Sequence, residues 1–188
     1  PDHNIPKLCR KFFTSKKTNQ TYCTVRYDKS SMIKDDYLSV GLMRSVVFNN
    51  NNKQVLSFAP PKSVDHTSDA FGNWDNDEIQ AEEYVDGTMI NVFKYEGVVY
   101  ISTRSCLGAK CRWFSSKTFD EMFEQCLENT NATLDSLNMD YCYSFLIQHP
   151  DNTIVKKYLH PKLVLTHVSQ ITSDGNVKFL NVHNFVNK

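Results

Sequence analysis

At 188 residues, 40% hydrophobic and 22% charged, the chain has the size and balance of one soluble globular domain, which excludes a fibrous or wholly disordered protein. Its 21 basic and 21 acidic residues cancel, so any binding to nucleic acid must come from a local patch rather than from overall charge. No apolar run reaches the length of a membrane span and the start of the chain has no signal-peptide core, so the sequence reads as cytoplasmic with no membrane partner.

In chain order, the first clear pattern is a hairpin. The apolar stretches Leu42 to Phe48 and Val55 to Phe58 flank the polar run Asn49 to Lys53, and Pro60-Pro61 ends the second strand because proline cannot donate to a ladder. Residues 63–78 are polar and acidic and predict a surface loop. Ile79 to Val85, Thr88 to Tyr95 and Val98 to Thr103 are rich in β-branched and aromatic residues. Asp86-Gly87 and Glu96-Gly97 punctuate them as the turns of an antiparallel meander.

The period then changes. Thr118 with Glu121 three residues on is a capping-box signature, and Phe119, Met122, Phe123, Cys126 and Leu127 follow at helical spacing. One amphipathic helix over 119–129 is predicted. Strands resume at Tyr141 to Gln148, Thr153 to Lys156, Leu163 to Val168 and Val177 to Leu180, turned by Pro150-Asp151-Asn152 and Asp174-Gly175. Many strands with few helices predict an α+β fold of antiparallel sheets, as a single domain over residues 1–188.

Six cysteines occur without a CxxC pair; Cys106 and Cys111 have no second Cys/His pair at finger spacing, so reduced thiols and no metal site are expected. Aromatic residues make up 12% of the chain, enough to fill a core or to supply stacking faces for bases.

The order of several short motifs carries more information than any one of them. Arg44-Ser45-Val46-Val47-Phe48 and Phe58-Ala59-Pro60-Pro61-Lys62-Ser63 come first, followed by Glu82-Glu83-Tyr84-Val85-Asp86-Gly87-Thr88 leading into an apolar strand. Tyr100-Ile101-Ser102-Thr103-Arg104-Ser105 ends in a basic turn of small residues, and after the helix Tyr141 to Pro150 leads into Asp151-Asn152-Thr153. This succession, over roughly residues 40–170, resembles the nucleotidyltransferase domain of phage-type RNA ligases, whose fold is shared with DNA ligases and mRNA capping guanylyltransferases. The resemblance implies a site opened by a K-x-D-G motif, whose lysine attacks the α-phosphorus of ATP or GTP with Mg²⁺ neutralising the phosphates.

Two positions depart from that pattern. The motif lysine position is Tyr84, which cannot form the phosphoramidate, and the position of the later-strand glutamate is Leu146. What the resemblance leaves is a set of groups for binding: Arg44, Lys62, Arg104, Lys110 and Arg112 for phosphates, and Glu82, Glu83 or Asp86 as a carboxylate at a base edge. Arg44 reads as a phosphate contact or as a strand-edge residue lying along the sheet. Lys62 reads as a surface lysine, a phosphate contact or a relocated nucleophile. Tyr84 is strand filler or a stacking face. Trp74 in the acidic loop reads as a stacking face, Trp113 as core packing with stacking its alternative, and His149 and His160 as turn or surface residues.

The expectation is a catalytically degenerate relative that binds a nucleotide or an RNA 5′ end and needs no cofactor. In its sharpest form it is a cap-binding protein for translation initiation, of the kind found among ligase-like proteins of large DNA viruses, working beside protein partners in the host cytoplasm. The alternatives are an active RNA ligase or guanylyltransferase using Mg²⁺ with ATP or GTP, and a structural subunit that binds no nucleotide.

Overall fold

The structure, a computed structural model, describes residues 7–16, 18–64, 82–130 and 133–186. Its described residues form two antiparallel sheets and two helices, an α+β architecture of the expected class. The smaller sheet is a meander of β1 (Leu8–Thr14), β2 (Thr21–Tyr27), β3 (Val46–Asn49) and β4 (Val55–Phe58), ordered β1-β2-β3-β4. The larger contains β5 (Thr88–Tyr95), β6 (Val98–Ser102), β7 (Cys142–Gln148), β8 (Lys162–Ile171) and β9 (Val177–Leu180), ordered β6-β5-β7-β8-β9. The crossing from β6 to β7 carries α1 (Phe119–Glu128), and α2 (His183–Val186) follows β9.

The helix starts where its capping box places it. Glu121 Oε2 accepts both the backbone N–H and the hydroxyl of Thr118 at 2.7 Å, satisfying a donor that the helix itself leaves open. Its apolar stripe of Phe119, Met122, Phe123 and Cys126 is buried against Ile90 and Val92 of β5, Tyr143, Phe145 and Ile147 of β7, and Val168 of β8. Fully burying one such side chain stabilises the fold by about 1.5–3 kcal/mol, so this layer dominates the packing energy.

The other face of the larger sheet meets the smaller one. Tyr22, Val47 and Leu56 pack with Phe93 and Cys142 in a second buried cluster. The Cys142 thiol donates to the Leu56 carbonyl at 3.2 Å, and the Tyr22 and Tyr100 hydroxyls lie 2.9 Å apart. Burial pushes the Cys142 thiol up to about 12, so it packs as a neutral, inert group.

The hairpin of β1 and β2 lies outside the elements expected from the sequence, and three expectations are corrected. Leu42 belongs to a 3-10 turn, Val40–Leu42, so β3 begins only at Val46. Thr153 to Lys156 is loop, and so are residues 82–85 of the expected strand Ile79 to Val85, whose residues 79–81 lie outside the described residues.

Candidate functional site: a cleft with an apolar floor

The smaller sheet covers only one end of the face it packs on. Beyond its reach, Met89, Leu146 and Val164 sit side by side on β5, β7 and β8, where Leu146 pairs with both Met89 and Val164. They floor a cleft of about 650 Å³. Its rim is built by Arg44 and Pro60-Pro61 on one side, by the segment from Glu82 to Gly87 on another, and by His167 and His183. No lysine lies among the described residues that line it.

Asp86-Gly87 fixes the geometry of that rim. Asp86 Oδ2 accepts the backbone N–H groups of Val155 and Lys156 at 3.2 and 3.0 Å, and the Asp86 carbonyl accepts from Gln148 Nε2 and the Tyr158 hydroxyl, each at 3.1 Å. Gly87 holds φ +153°, and a Cβ there would stand 2.7 Å from the Ile147 carbonyl oxygen. Only glycine lets the chain pass so close to β7. The clasp also explains why Thr153 to Lys156 is not a strand: the amides of Val155 and Lys156 are taken by a side chain instead of a neighbouring strand. Asp86 is thereby first of all an anchor for two loops.

The neighbouring Tyr84 is held out into solvent, 86% exposed, with Glu82 and Glu83 exposed beside it. Glu82 Oε1 lies 3.9 Å from His183 Nε2, both near the surface, where such a pair is worth little to stability. His167 owes its position to a bulge: Ser144 pairs with His167 and Phe145 with Leu165, leaving Thr166 as the extra residue, its hydroxyl bonded to the Ser144 carbonyl at 2.9 Å. The His167 side chain is exposed on the cleft rim, with its ring edge-on to Phe179. Partial desolvation lowers its pKa from the usual histidine value, with Arg44 adding to the effect and Glu82 opposing it. Among the described residues, no three His, Cys, Asp or Glu side chains are placed to share a metal ion.

Six residues singled out from the sequence thus come together here: Arg44, Glu82, Glu83, Tyr84, Asp86 and Leu146. Others lie elsewhere. Lys62 follows Pro61 on the rim, but its ammonium sits 4.3 Å over the Tyr37 ring and donates to the Ser63 carbonyl. Arg104 stacks 4.4 Å over Tyr27 and donates to the Tyr27 carbonyl at 2.7 Å. Burial lowers its pKa, with Arg26 and Arg44 adding to the effect. Arg104 thus braces the smaller sheet against the turn after β6.

Lys110 and Arg112 are exposed on the loop before α1. Trp74 lies outside the described residues. Trp113 is 65% exposed, which corrects the core-packing expectation. His149 is the reverse case. It lies in the Pro150 turn but only 2% exposed, its Nε2 bonded to Gln125 Oε1 at 2.8 Å and its Nδ1 accepting the Asp151 N–H at 3.1 Å. His160 is exposed, as a surface residue.

His167, His183, Met89 and Val164 were not singled out in the sequence. Met89 and Val164 carry a signal that could have found them, since they alternate with the core residues Ile90 and Leu165. The bulge that aims His167 leaves no such mark. No protein-family model matches this sequence, and no curated protein matches it either.

Proposed function

We propose that this cleft binds a nucleotide, in the form of an RNA 5′ end, and holds it without forming a covalent bond. The observation that carries the reading is that Tyr84 and Leu146, the two departures from the ligase-like pattern, line one cleft whose remaining floor is also apolar. A site for phosphoramidate chemistry needs an amine and a carboxylate at those places. A site for recognition needs a flat apolar bed, an aromatic face and a few polar groups at the edge, in a volume of roughly 300–1,000 Å³.

The parts have distinct roles in this reading. Tyr84 stacks on the base, most strongly on a cationic one such as a methylated guanine cap. Glu82 or Glu83 accepts from the base edge, Arg44 holds the phosphate bridge through charge-assisted bonds, and His167 donates to a ribose or phosphate oxygen. Met89, Leu146 and Val164 support the sugar and base from below. The sharpest form is recognition of an mRNA cap, as a translation-initiation protein requires.

Two measurements test this. Cap analogue at about a hundred times its Kd adds about 2.7 kcal/mol to the stability of the folded chain, read as a rise in Tm. Incubation with labelled ATP or GTP and Mg²⁺ leaves no covalent adduct. An adduct that disappears in Lys62→Ala transfers the chain to the active ligases or guanylyltransferases. Failure of ATP, GTP, cap analogue and capped RNA alike to move Tm leaves a structural subunit.

A further inference from the structure

A second cleft, of about 640 Å³, lies between the loop before α1 and the turn after β7, lined by Trp113, Phe114, Pro150 and Ile154 among others. Its aromatic wall is turned outward: Trp113 is 65% exposed and Phe114 fully exposed, their ring centroids 6.0 Å apart. Phe114 takes φ +49°, an uncommon conformation for a bulky side chain, and one that presents the ring to solvent instead of the core. No packing within the described chain explains two large aromatic rings held in this way.

The opposite wall is rigid. Buried His149 ties the Asp151 N–H to Gln125 of α1, and Asn152 Nδ2 donates to Thr88 Oγ1 at 2.9 Å. Among the residues that line the cleft only Asp151 is charged, and Lys117 Nζ neutralises it at 2.8 Å. The segments that carry the lining, 110–117 and 150–157, add Lys110, Arg112, Lys156 and Lys157 around it, with Glu121 of α1 within reach of Arg112. Lys110, Arg112, Lys156 and Lys157 are exposed.

One loop ties the two clefts together. Residues 150–154 line the second, and the next two amides, of Val155 and Lys156, are the ones pinned by Asp86 on the rim of the first. A polymer leaving the first cleft across this loop meets exposed rings flanked by cations. Stacking faces interleaved with lysine and arginine fit the bases and phosphates of a single strand, whereas a duplex hides its base faces.

We infer that the Trp113–Phe114 cleft binds single-stranded RNA, taking the nucleotides that follow the 5′ end held in the first cleft. The inference deepens the function proposed above and rests on it for the identity of the polymer. The bases stack on Trp113 and Phe114, and Lys110, Arg112 and Lys156 hold phosphates.

The test is the anisotropy of a fluorescein-labelled, unstructured ten-nucleotide RNA with a 5′-hydroxyl, alongside a titration with cap analogue alone. Trp113→Ala is expected to weaken RNA binding roughly 5- to 100-fold, the loss of one stacked base. Trp113→Phe keeps most of the affinity, and Arg112→Gln lowers the slope of log K against log salt by about 0.7. Cap-analogue affinity stays the same in all three. Should Trp113→Ala disturb the fold, seen as a lower Tm, Phe114→Ser at the fully exposed neighbour replaces it as the deciding variant. The inference is overturned if the wild-type chain does not bind the RNA, if neither aromatic substitution weakens it, or if cap-analogue affinity falls equally. Aromatic-dependent RNA binding with no cap-analogue binding sinks the first-cleft reading instead and leaves this one standing.

Discussion

On the helix side of the larger sheet, Ile90, Phe145, Ile147 and Val168 lie under Phe119, Met122 and Phe123 with almost no access to water. On the opposite side the alternate residues Met89, Leu146 and Val164 are just as apolar, yet the smaller sheet stops short of them and they floor an open cleft. An antiparallel sheet with one solvated face normally alternates apolar with polar residues. Here β7 is buried along its whole length, Leu146 included, and the openings to the cleft are at the half-buried Met89 and Val164 on either side of it. The cleft floor is thus core-like in chemistry and cleft-facing in position.

The largest effect that sharpens this contrast is on stability. Phe123→Ala removes a ring from the covered face and is expected to cost about 3–5 kcal/mol in urea unfolding. Met89→Ala, at a half-buried site on the cleft floor, is expected to cost less, about 2 kcal/mol. Equal costs would break the distinction between the faces. Next comes Gly87→Ala, which places a Cβ against the Ile147 carbonyl in a backbone region that disfavours side chains. A loss of about 1–3 kcal/mol is expected, with weaker ligand binding because Tyr84 moves with the clasp.

Smaller again is a pH effect that belongs to the covered region. Burial, helped by Lys117 and opposed by Asp151, holds the His149 pKa below its ordinary 6.5. Below that pH the unfolded chain takes up a proton that the folded chain refuses, so stability falls as pH drops through about 6.5 toward the folded value. His149→Asn, which offers an acceptor near the Nδ1 position, is expected to flatten part of this decline in Tm between pH 7 and 5. His167, whose pKa is also lowered, acts in the same direction. The carboxylates of Glu121 and Asp151, lowered by their hydrogen bonds, add their own loss only below about pH 4, so the two windows separate. The smallest stability effect belongs to the cleft rim. Tyr84→Ala should leave stability within about 0.5 kcal/mol of wild type while abolishing ligand binding, since the ring touches solvent rather than core.

Much of the larger sheet was legible because its signals are local. The turns Asp86-Gly87 and Glu96-Gly97 bound β5, and the Thr118–Glu121 box and the apolar stripe mark α1 to within a residue. β1 escaped because it is a solvated edge: Arg10 and Lys11 interrupt its apolar residues, and its pattern has meaning only beside β2. The run Thr21 to Tyr27, with its β-branched and aromatic residues, did carry a strand signal. Thr153 to Lys156 misled for the opposite reason. Ile154 and Val155 have strand-like side chains, but a carboxylate sixty-nine residues away takes the Val155 amide. The same holds at the site. Arg44, Glu82, Tyr84 and Leu146 could be grouped by motif order, whereas Arg104 and Lys62 were claimed by Tyr27 and Tyr37 through contacts that no local pattern records.

Methionine methyl NMR compares the two faces in one experiment, because Met89 lies on the cleft floor and Met122 in the covered core. With methyl-labelled methionine and increasing cap analogue, the Met89 resonance is expected to shift in a saturable manner while Met122 stays in place, and Tyr84→Ala removes the shift. A Met89 resonance that does not move at any concentration of cap analogue, GTP or ATP contradicts ligand binding in the cleft.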